Sequence, residues 1–243
     1  MKLTDNTIFI TGATSGIGLG LAVAFSKLGN KVIIGGRSEA TLKEIHKKYP
    51  DLVTRICDVS VESDLVATAE WLKKNYHVNV LINNAGVVHD IDLAHNADLP
   101  LLEDEMRINY LGPVKLISLL LPTLQKEKNP AIIIISSGLA YMPLARWPLY
   151  SATKAAMHSL SISLRGQLKG TVKVIEILPP AVDTKLATGL KGSKMPLDRF
   201  VQKTMKALAR GKEEIPIGQS KLLYYFARLS PSLMNYILNR MMG

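Results

Sequence analysis

Tyr150 and Lys154 stand four residues apart in Tyr150-Ser151-Ala152-Thr153-Lys154. On a helix the two side chains share a face, one turn apart. A tyrosine hydroxyl ordinarily ionises near pH ~10, and an adjacent ammonium favours the phenolate, so the pair reads as a proton donor and acceptor usable at neutral pH. Far upstream, Thr11-Gly12-Ala13-Thr14-Ser15-Gly16-Ile17-Gly18 joins an apolar run to an apolar helical pattern over residues 19–28. Such a turn brings unpaired N–H groups and the positive end of a helix dipole to an anion. Its spacing is Gly-x-x-x-Gly-x-Gly; the G-x-G-x-x-G fingerprint does not fit, because position 21 is Leu. Taken singly, a Tyr/Lys pair on a helix is commonplace and three glycines after a strand can be a plain turn.

Both features need a scaffold, and the chain alternates short β-branched runs with longer helical patterns, which implies parallel βαβ units. Strands are expected at 7–11, 31–34, 53–57, 78–82, 131–136 and 172–178, with a short one near 215–217. Most are apolar nearly throughout, as strands covered on both faces must be. Helices are expected at 17–28, 39–48, 63–74, 101–126, 151–168 and 197–210, with Ser38 and Ser60 or Ser63 as N-caps and Gly29 and Gly170 as stops. The fold class is α/β: a Rossmann-type doubly wound, mostly parallel seven-stranded sheet in three layers. It spans 1–243 as one domain, with 219–243 an amphipathic C-terminal extension. Its ligand crevice should open at the carboxyl ends of the strands, where the strand order reverses.

A dinucleotide site selecting NAD(H) usually offers a carboxylate at the end of the second strand for the ribose 2′-OH. Here that strand ends in Ile34-Gly35-Gly36-Arg37. Without an acid, and with the guanidinium of Arg37 suited to a 2′-phosphate, the expected cofactor is NADP(H) over NAD(H). Asp58, after the third strand, is a candidate acceptor for the adenine amine.

Thr11-Gly-x-x-x-Gly-x-Gly18, Asn83-Asn84-Ala85-Gly86, Asn109, Ser137 and Tyr150-x-x-x-Lys154 occur in the order and spacing of the short-chain dehydrogenase/reductase family, and the resemblance covers nearly the whole chain. It implies a hydride transfer between a nicotinamide and a carbonyl or secondary alcohol. Tyr150 would be the general acid/base, and Lys154 would hold the nicotinamide ribose and lower the pKa of Tyr150. Ser137 would orient the substrate oxygen, and Asn109 would anchor a water-linked proton relay. Gly12, Thr14, Ser15, Gly16, Ile17 and Gly18 would cradle the cofactor, with Arg37, Asp58, Val59, Asn84, Ala85 and Gly86 at its adenosine half. Pro180, Val182 and Thr184 would lie along the nicotinamide. Ser136 rivals Ser137, but adjacent strand residues point to opposite faces and the family spacing favours Ser137. One departure is Pro179-Pro180 where the family has Pro-Gly, which removes a backbone donor and glycine's freedom from that loop. Residues 29–37 and the tail resemble the DltE-like group of bacterial single-domain reductases.

The net charge of +10 invites a nucleic-acid reading, but the excess is local: residues 190–243 carry ten Lys/Arg against three Asp/Glu. No zinc-ligand spacing or aromatic RNA-binding signature accompanies it, so no nucleic-acid partner is expected. The five histidines are scattered, so no metal is expected either. The single cysteine, Cys57, excludes an internal disulfide, and the N-terminus lacks a signal-peptide pattern, so a cytoplasmic location is expected. Leu139, Tyr141, Met142, Leu144, Trp147 and Leu149, between Ser137 and Tyr150, suggest a lipophilic substrate. Helices at 101–126 and 151–168 are expected to pair in a homodimer or homotetramer, as the resemblance implies. Leu222, Tyr225, Phe226 and Leu229, then Leu233, Ile237 and Met241 with Met234 and Leu238 beside them, form apolar stripes near Lys221, Arg228 and Arg240. This tail either covers the cleft or a neighbouring subunit, or makes peripheral contact with an anionic membrane. The rival to an enzyme is an NADP(H)-binding redox sensor or scaffold without turnover, a class that typically loses the tyrosine or the lysine.

Overall fold

The computed structural model describes residues 1–95, 98–188, 190 and 192–242. Its sheet contains β1 (Thr7–Ile10), β2 (Lys31–Gly36), β3 (Leu52–Ile56), β4 (Val80–Asn83), β5 (Ala131–Ile135), β6 (Lys173–Leu178) and β7 (Glu214–Pro216). The order is β3-β2-β1-β4-β5-β6-β7, and every neighbouring pair is parallel. The expected strands are all present, with no end displaced by more than two residues.

Alternation along each strand builds two cores. Ile8 and Ile10 of β1 share a cluster with Val32, Ile34, Val80 and Ile82, closed by Leu21 and Phe25 of α1 (Gly16–Ser26), Leu42 of α2 (Glu39–Lys48) and Phe200 and Leu208 of the helix at Leu197–Ala209. Phe9, Ile33, Leu81 and Ile132 point the other way, onto Leu65 and Leu72 of α3 (Glu62–Asn75) and Leu116 and Leu120 of a helix at Gly112–Leu124. Each fully buried Leu, Ile or Phe contributes about 1.5–3 kcal/mol from leaving water. That burial fixes register, because a one-residue slip would turn each strand's side chains to the wrong layer.

Two local expectations are corrected. Neither Ser60 nor Ser63 caps α3: Val61 is the N-cap, and the Asp64 carboxylate instead accepts from the Asp58 N–H while Asp58 accepts from Ser60. Ser38 does cap α2, accepting from the Thr41 N–H. The single helix expected at 101–126 is three pieces: α4 (Leu99–Met106), a π-helical turn (Arg107–Leu111) and α5 (Gly112–Leu124). The remaining helices are α6 (Pro148–Gln167), α7 (Leu197–Ala209), α8 (Ser220–Leu229) and α9 (Pro231–Met242). The strand order reverses between β1 and β4, and the loops leaving their carboxyl ends frame a crevice there.

Candidate active site

A cleft of about 830 Å³ occupies that crevice. Gly12, Thr14, Ser15, Gly16 and Ile17 form one wall; Arg37, Asp58, Val59, Asn84, Ala85 and Gly86 continue it across the ends of β2, β3 and β4. Ser15 is the N-cap of α1 in extended conformation and its side chain makes no capping bond, so the helix N-terminus is not closed off by its own chain. Gly12 adopts a positive φ of 60°, and a Cβ there would lie 2.6 Å from Ala85 Cα. Only glycine lets the loop lie against the end of β4. Asn84 fastens this contact, its amide donating to Thr11 O at 3.0 Å and Gly12 O at 2.9 Å. Gly18 does not line the cleft; it packs behind the loop against the Asn84 amide. A glycine-lined approach to an uncapped helix N-terminus, with a guanidinium beside it, fits the diphosphate and phosphates of a dinucleotide.

The loop after β6 passes the same opening. Pro180, Val182 and Thr184 all line the cleft despite the Pro-Pro step, and Val182 pairs with Met195 in an isolated parallel bridge. Thr184 reaches the α1 N-terminus, its methyl 3.2 Å from where a Cβ of Gly16 would be. The proline at 180 therefore leaves the path along the cleft intact.

Ser137, Tyr150 and Lys154 line the cleft's inner end. Ser136 is directed elsewhere: its hydroxyl donates to Glu176 Oε1 at 2.6 Å. Lys154 lies with its Nζ 5.5 Å from the Tyr150 ring centroid and donates to Ile135 O at 3.1 Å. Asn109 lies outside the cleft wall. Its side chain accepts from the Val87 N–H and donates to Val87 O, both at 2.9 Å, and the π-helical turn presents it.

The electrostatics depart from the expected depression of Tyr150. Burial pushes its hydroxyl up to about 12, opposed by a hydrogen bond with Ser137 and reinforced by the Glu105 carboxylate. Burial likewise pulls Lys154 down to about 8, with Glu105 and Glu176 opposing. In this geometry desolvation is the largest influence on both groups.

Behind Ser136, the buried carboxylate of Glu176 also takes His158 Nδ1 at 2.7 Å and the Ser161 hydroxyl at 2.8 Å, with Arg165 at 3.6 Å. His158 is thus a packing residue binding α6 to β6, and the carboxylate raises its pKa. The sequence reading passed over Glu176 because a lone acid in an apolar strand leaves no spacing pattern.

The mouth is covered by α8 and α9. Leu222, Leu223 and Phe226 of α8 and Ile237 and Leu238 of α9 line the cleft opposite Leu139, Met142 and Trp147. Asn235 donates to Pro143 O at 2.9 Å, and Asn239 accepts from the Ala145 N–H. Of the six apolar residues expected to line the site before Tyr150, three do so. Leu144 is instead buried beside Trp147 and Tyr150, Tyr141 donates to Glu214 and stacks edge-on against His158 and Tyr224, and Leu149 lies off the wall. The side chains of Met234 and Met241 lie outside the described residues.

A family model of the short chain dehydrogenases matches residues 6–194. The uncharacterized oxidoreductase DltE of Bacillus subtilis is 45% identical over 224 residues, covering 88% of this chain and 89% of that protein. A short chain dehydrogenase from Burkholderia cenocepacia, solved in complex with NADP, has a TM-score of 0.88 at 26% identity, over 98% of this chain and 99% of that one. A short chain dehydrogenase/reductase from Burkholderia phymatum, solved with NAD, shares the fold with a TM-score of 0.84 at 20% identity, over 98% and 97%. The matched span runs from the residue before β1 through the glycine loop, the Tyr/Lys pair and Thr184, and the chain belongs to the short chain dehydrogenase family, as an NAD(P)-dependent oxidoreductase.

Proposed function

We propose that this protein is an NADP(H)-dependent reductase of lipophilic carbonyl compounds. The observation that carries the reading is the convergence of Ser137, Tyr150 and Lys154 at the end of a cleft whose outer half is apolar and whose other end meets the glycine loop and Arg37. A nicotinamide dinucleotide held by the glycine loop and Arg37 would supply the hydride chemistry. Ser137 and Tyr150 hold the substrate oxygen. A hydroxyl raised to about 12 stays protonated at neutral pH, so Tyr150 gives its proton to the oxygen as it gains charge, and the charged Lys154 beside it stabilises the phenolate left behind. Asn109 keeps the chain after β4 at the back of Lys154. Gly36 leaves no carboxylate against a 2′-phosphate and Arg37 supplies a cation, which supports NADP(H). Leu222, Phe226 and Leu238 with Met142 and Trp147 favour an apolar substrate over a short charged one.

A screen of NADPH oxidation over aliphatic and aromatic aldehydes and ketones tests this reading. Tyr150→Phe should remove turnover and keep NADPH binding. Retention of more than about a tenth of kcat, under about 1.4 kcal/mol of transition-state stabilisation, removes the role from Tyr150.

Two features support assembly outside the cleft. Leu111 of the π-helical turn and Ile162 of α6 stay about half exposed, which favours a homodimer or homotetramer, checked by light scattering. The outer side of α8 and α9 exposes Tyr225, Leu229, Leu233 and Tyr236, and residues 215–243 contain three basic residues and no acid. Peripheral contact with an anionic bilayer from the cytoplasmic side suits that face; flotation with anionic liposomes at low salt checks it. Among the described residues no helix is long and apolar enough to cross a membrane.

A further inference from the structure

Glu105 lies on α4, four residues before Asn109, and is fully buried. A carboxylate in that position costs several kcal/mol unless it is paired or hydrogen-bonded. Its Oε2 accepts from the His89 backbone N–H at 3.0 Å, while its Oε1 has no protein partner. The surroundings are short of cations. His89 places its ring 3.4 Å from Asp104, on the solvent side, and Asp104 adds a second negative charge from α4 itself. From α6, across the contact with α4, the charged group within electrostatic reach is Lys154, with Tyr150 beside it. Lys154 has no ion-pair partner within 4 Å among the described residues and donates to a neutral carbonyl oxygen. A buried cation lacking a contact partner and a buried anion lacking one thus sit on adjoining helices. A Cβ at Gly86 would lie 3.5 Å from Lys154 Nζ and 3.3 Å from Asn109 Oδ1, so the lysine lies beside the π-helical turn that directly follows Glu105's helix.

We propose that Glu105 is a positioning residue of the Tyr150–Lys154 pair: its buried carboxylate, behind the cleft and out of contact with substrate, is a counter-charge that, together with Glu176 behind Ser136, keeps Lys154 an ammonium ion. The inference rests on the roles proposed above for those two residues. Its sign follows from burial and Coulomb's law. Burial favours neutral lysine, and a negative charge nearby favours the ammonium. Removing the carboxylate therefore lets Lys154 lose its proton at lower pH. The same removal lowers the Tyr150 hydroxyl, because a carboxylate opposes a second negative charge. Both changes move the alkaline limb of carbonyl reduction, which needs Lys154 charged and Tyr150 protonated, toward lower pH.

The test reads Lys154 directly and needs no substrate. Competitive labelling with acetic anhydride across pH, with the Lys154 peptide quantified by mass spectrometry, gives its titration midpoint, expected near 8 in the unaltered protein. Glu105→Gln should lower the midpoint by about one unit, and Glu105→Asp, which keeps the charge, should largely restore it. An unmoved midpoint in folded Glu105→Gln overturns the proposal, and this outcome is independent of whether the protein reduces any carbonyl. If Glu105→Gln does not fold, the reciprocal measurement decides: in Lys154→Met, carbon-13 NMR of labelled glutamate should find Glu105 titrating higher than before, and an unchanged position overturns the proposal. Where 4-nitrobenzaldehyde is reduced with NADPH, Glu105→Gln should also shift the alkaline limb down, whereas a uniform loss of kcat at every pH marks a purely structural role and overturns it.

Discussion

Replacing Gly18 by alanine separates the cradle's geometry from helix propensity, because the two effects have opposite signs. Gly18 lies inside α1, where alanine in place of glycine gains about 1 kcal/mol of helix stability. Its new Cβ would lie 2.4 Å from Asn84 Nδ2, 2.8 Å from Gly12 O and 2.9 Å from Ala13 Cα. Two of those atoms are backbone, so the Asn84 amide must give way and release its bonds to Thr11 O and Gly12 O. An unsatisfied buried amide costs about 1–3 kcal/mol, and forcing an extra methyl into a filled site costs about 1–3 more. Set against the helix gain, the net loss is about 1–5 kcal/mol. For a chain of this size that lowers Tm by roughly 2–20 °C. NADPH affinity, read by fluorescence titration, should fall at least tenfold because the loop can no longer rest on Ala85. Asn84→Ala removes the nearest of the three contacts, so the double variant should lose less than the sum of the two single changes. A Gly18→Ala protein with unchanged Tm and unchanged NADPH affinity would refute the reasoning, and strict additivity would refute its steric part.

Arg37→Ala should raise KM for NADPH by roughly 10–100-fold, the worth of one charge-assisted contact of about 1.5–3 kcal/mol, and leave NADH within about twofold; equal effects on both cofactors would show that Arg37 does not read the 2′-phosphate. His158 has its pKa raised by Glu176, so the stability it contributes is fully present below the unfolded value near ~6.5 and disappears as pH rises through the higher folded value. Denaturant midpoints should accordingly decline over that window in the intact protein, and His158→Gln should flatten the decline; an unaltered slope would remove the ion pair as its source. Deleting residues 219–243 uncovers Leu144, Trp147 and Tyr150 and should cause aggregation or a marked fall in Tm, whereas a stable chain that only loses liposome binding would assign the tail to the membrane alone.

The sheet was readable because burial on both faces leaves continuous apolar runs, and the cradle because glycine at 12 and 16 marks backbone that no side chain can occupy. The catalytic candidates were readable only as a set in register; neither Tyr150 nor Lys154 is distinctive alone. What escaped depends on surroundings. The N-cap of α3 was misread because Asp58 holds both the N–H and the hydroxyl of Ser60 before the helix begins, and Val61 takes the cap position. Lys154 was expected to depress Tyr150, but the hydroxyl is raised by burial in a cluster with Leu144 and Trp147, which spacing does not show. Nothing in Leu101-Leu102-Glu103-Asp104-Glu105 sets Glu105 apart from the acids beside it. Its spacing from Leu102 and Ile108, three residues either way, was the available sign of a buried face. Both faces of the α8–α9 tail are apolar, so its amphipathic pattern could not say which one meets the cleft.

The π-helical turn at Arg107–Leu111 makes this stretch count residues. Each residue of an α-helix advances the next by about 100°. Shortening the turn by one would swing Asn109 off the Val87 backbone or rotate Leu116, Ile117, Leu120 and Leu124 off the sheet, since both cannot keep their places on a regular helix. Changes of side chain at Leu111, which is 42% exposed, leave that arithmetic untouched. The segment should therefore tolerate substitutions yet reject single-residue deletions, so a length change here in a homologue would signal a repositioned asparagine.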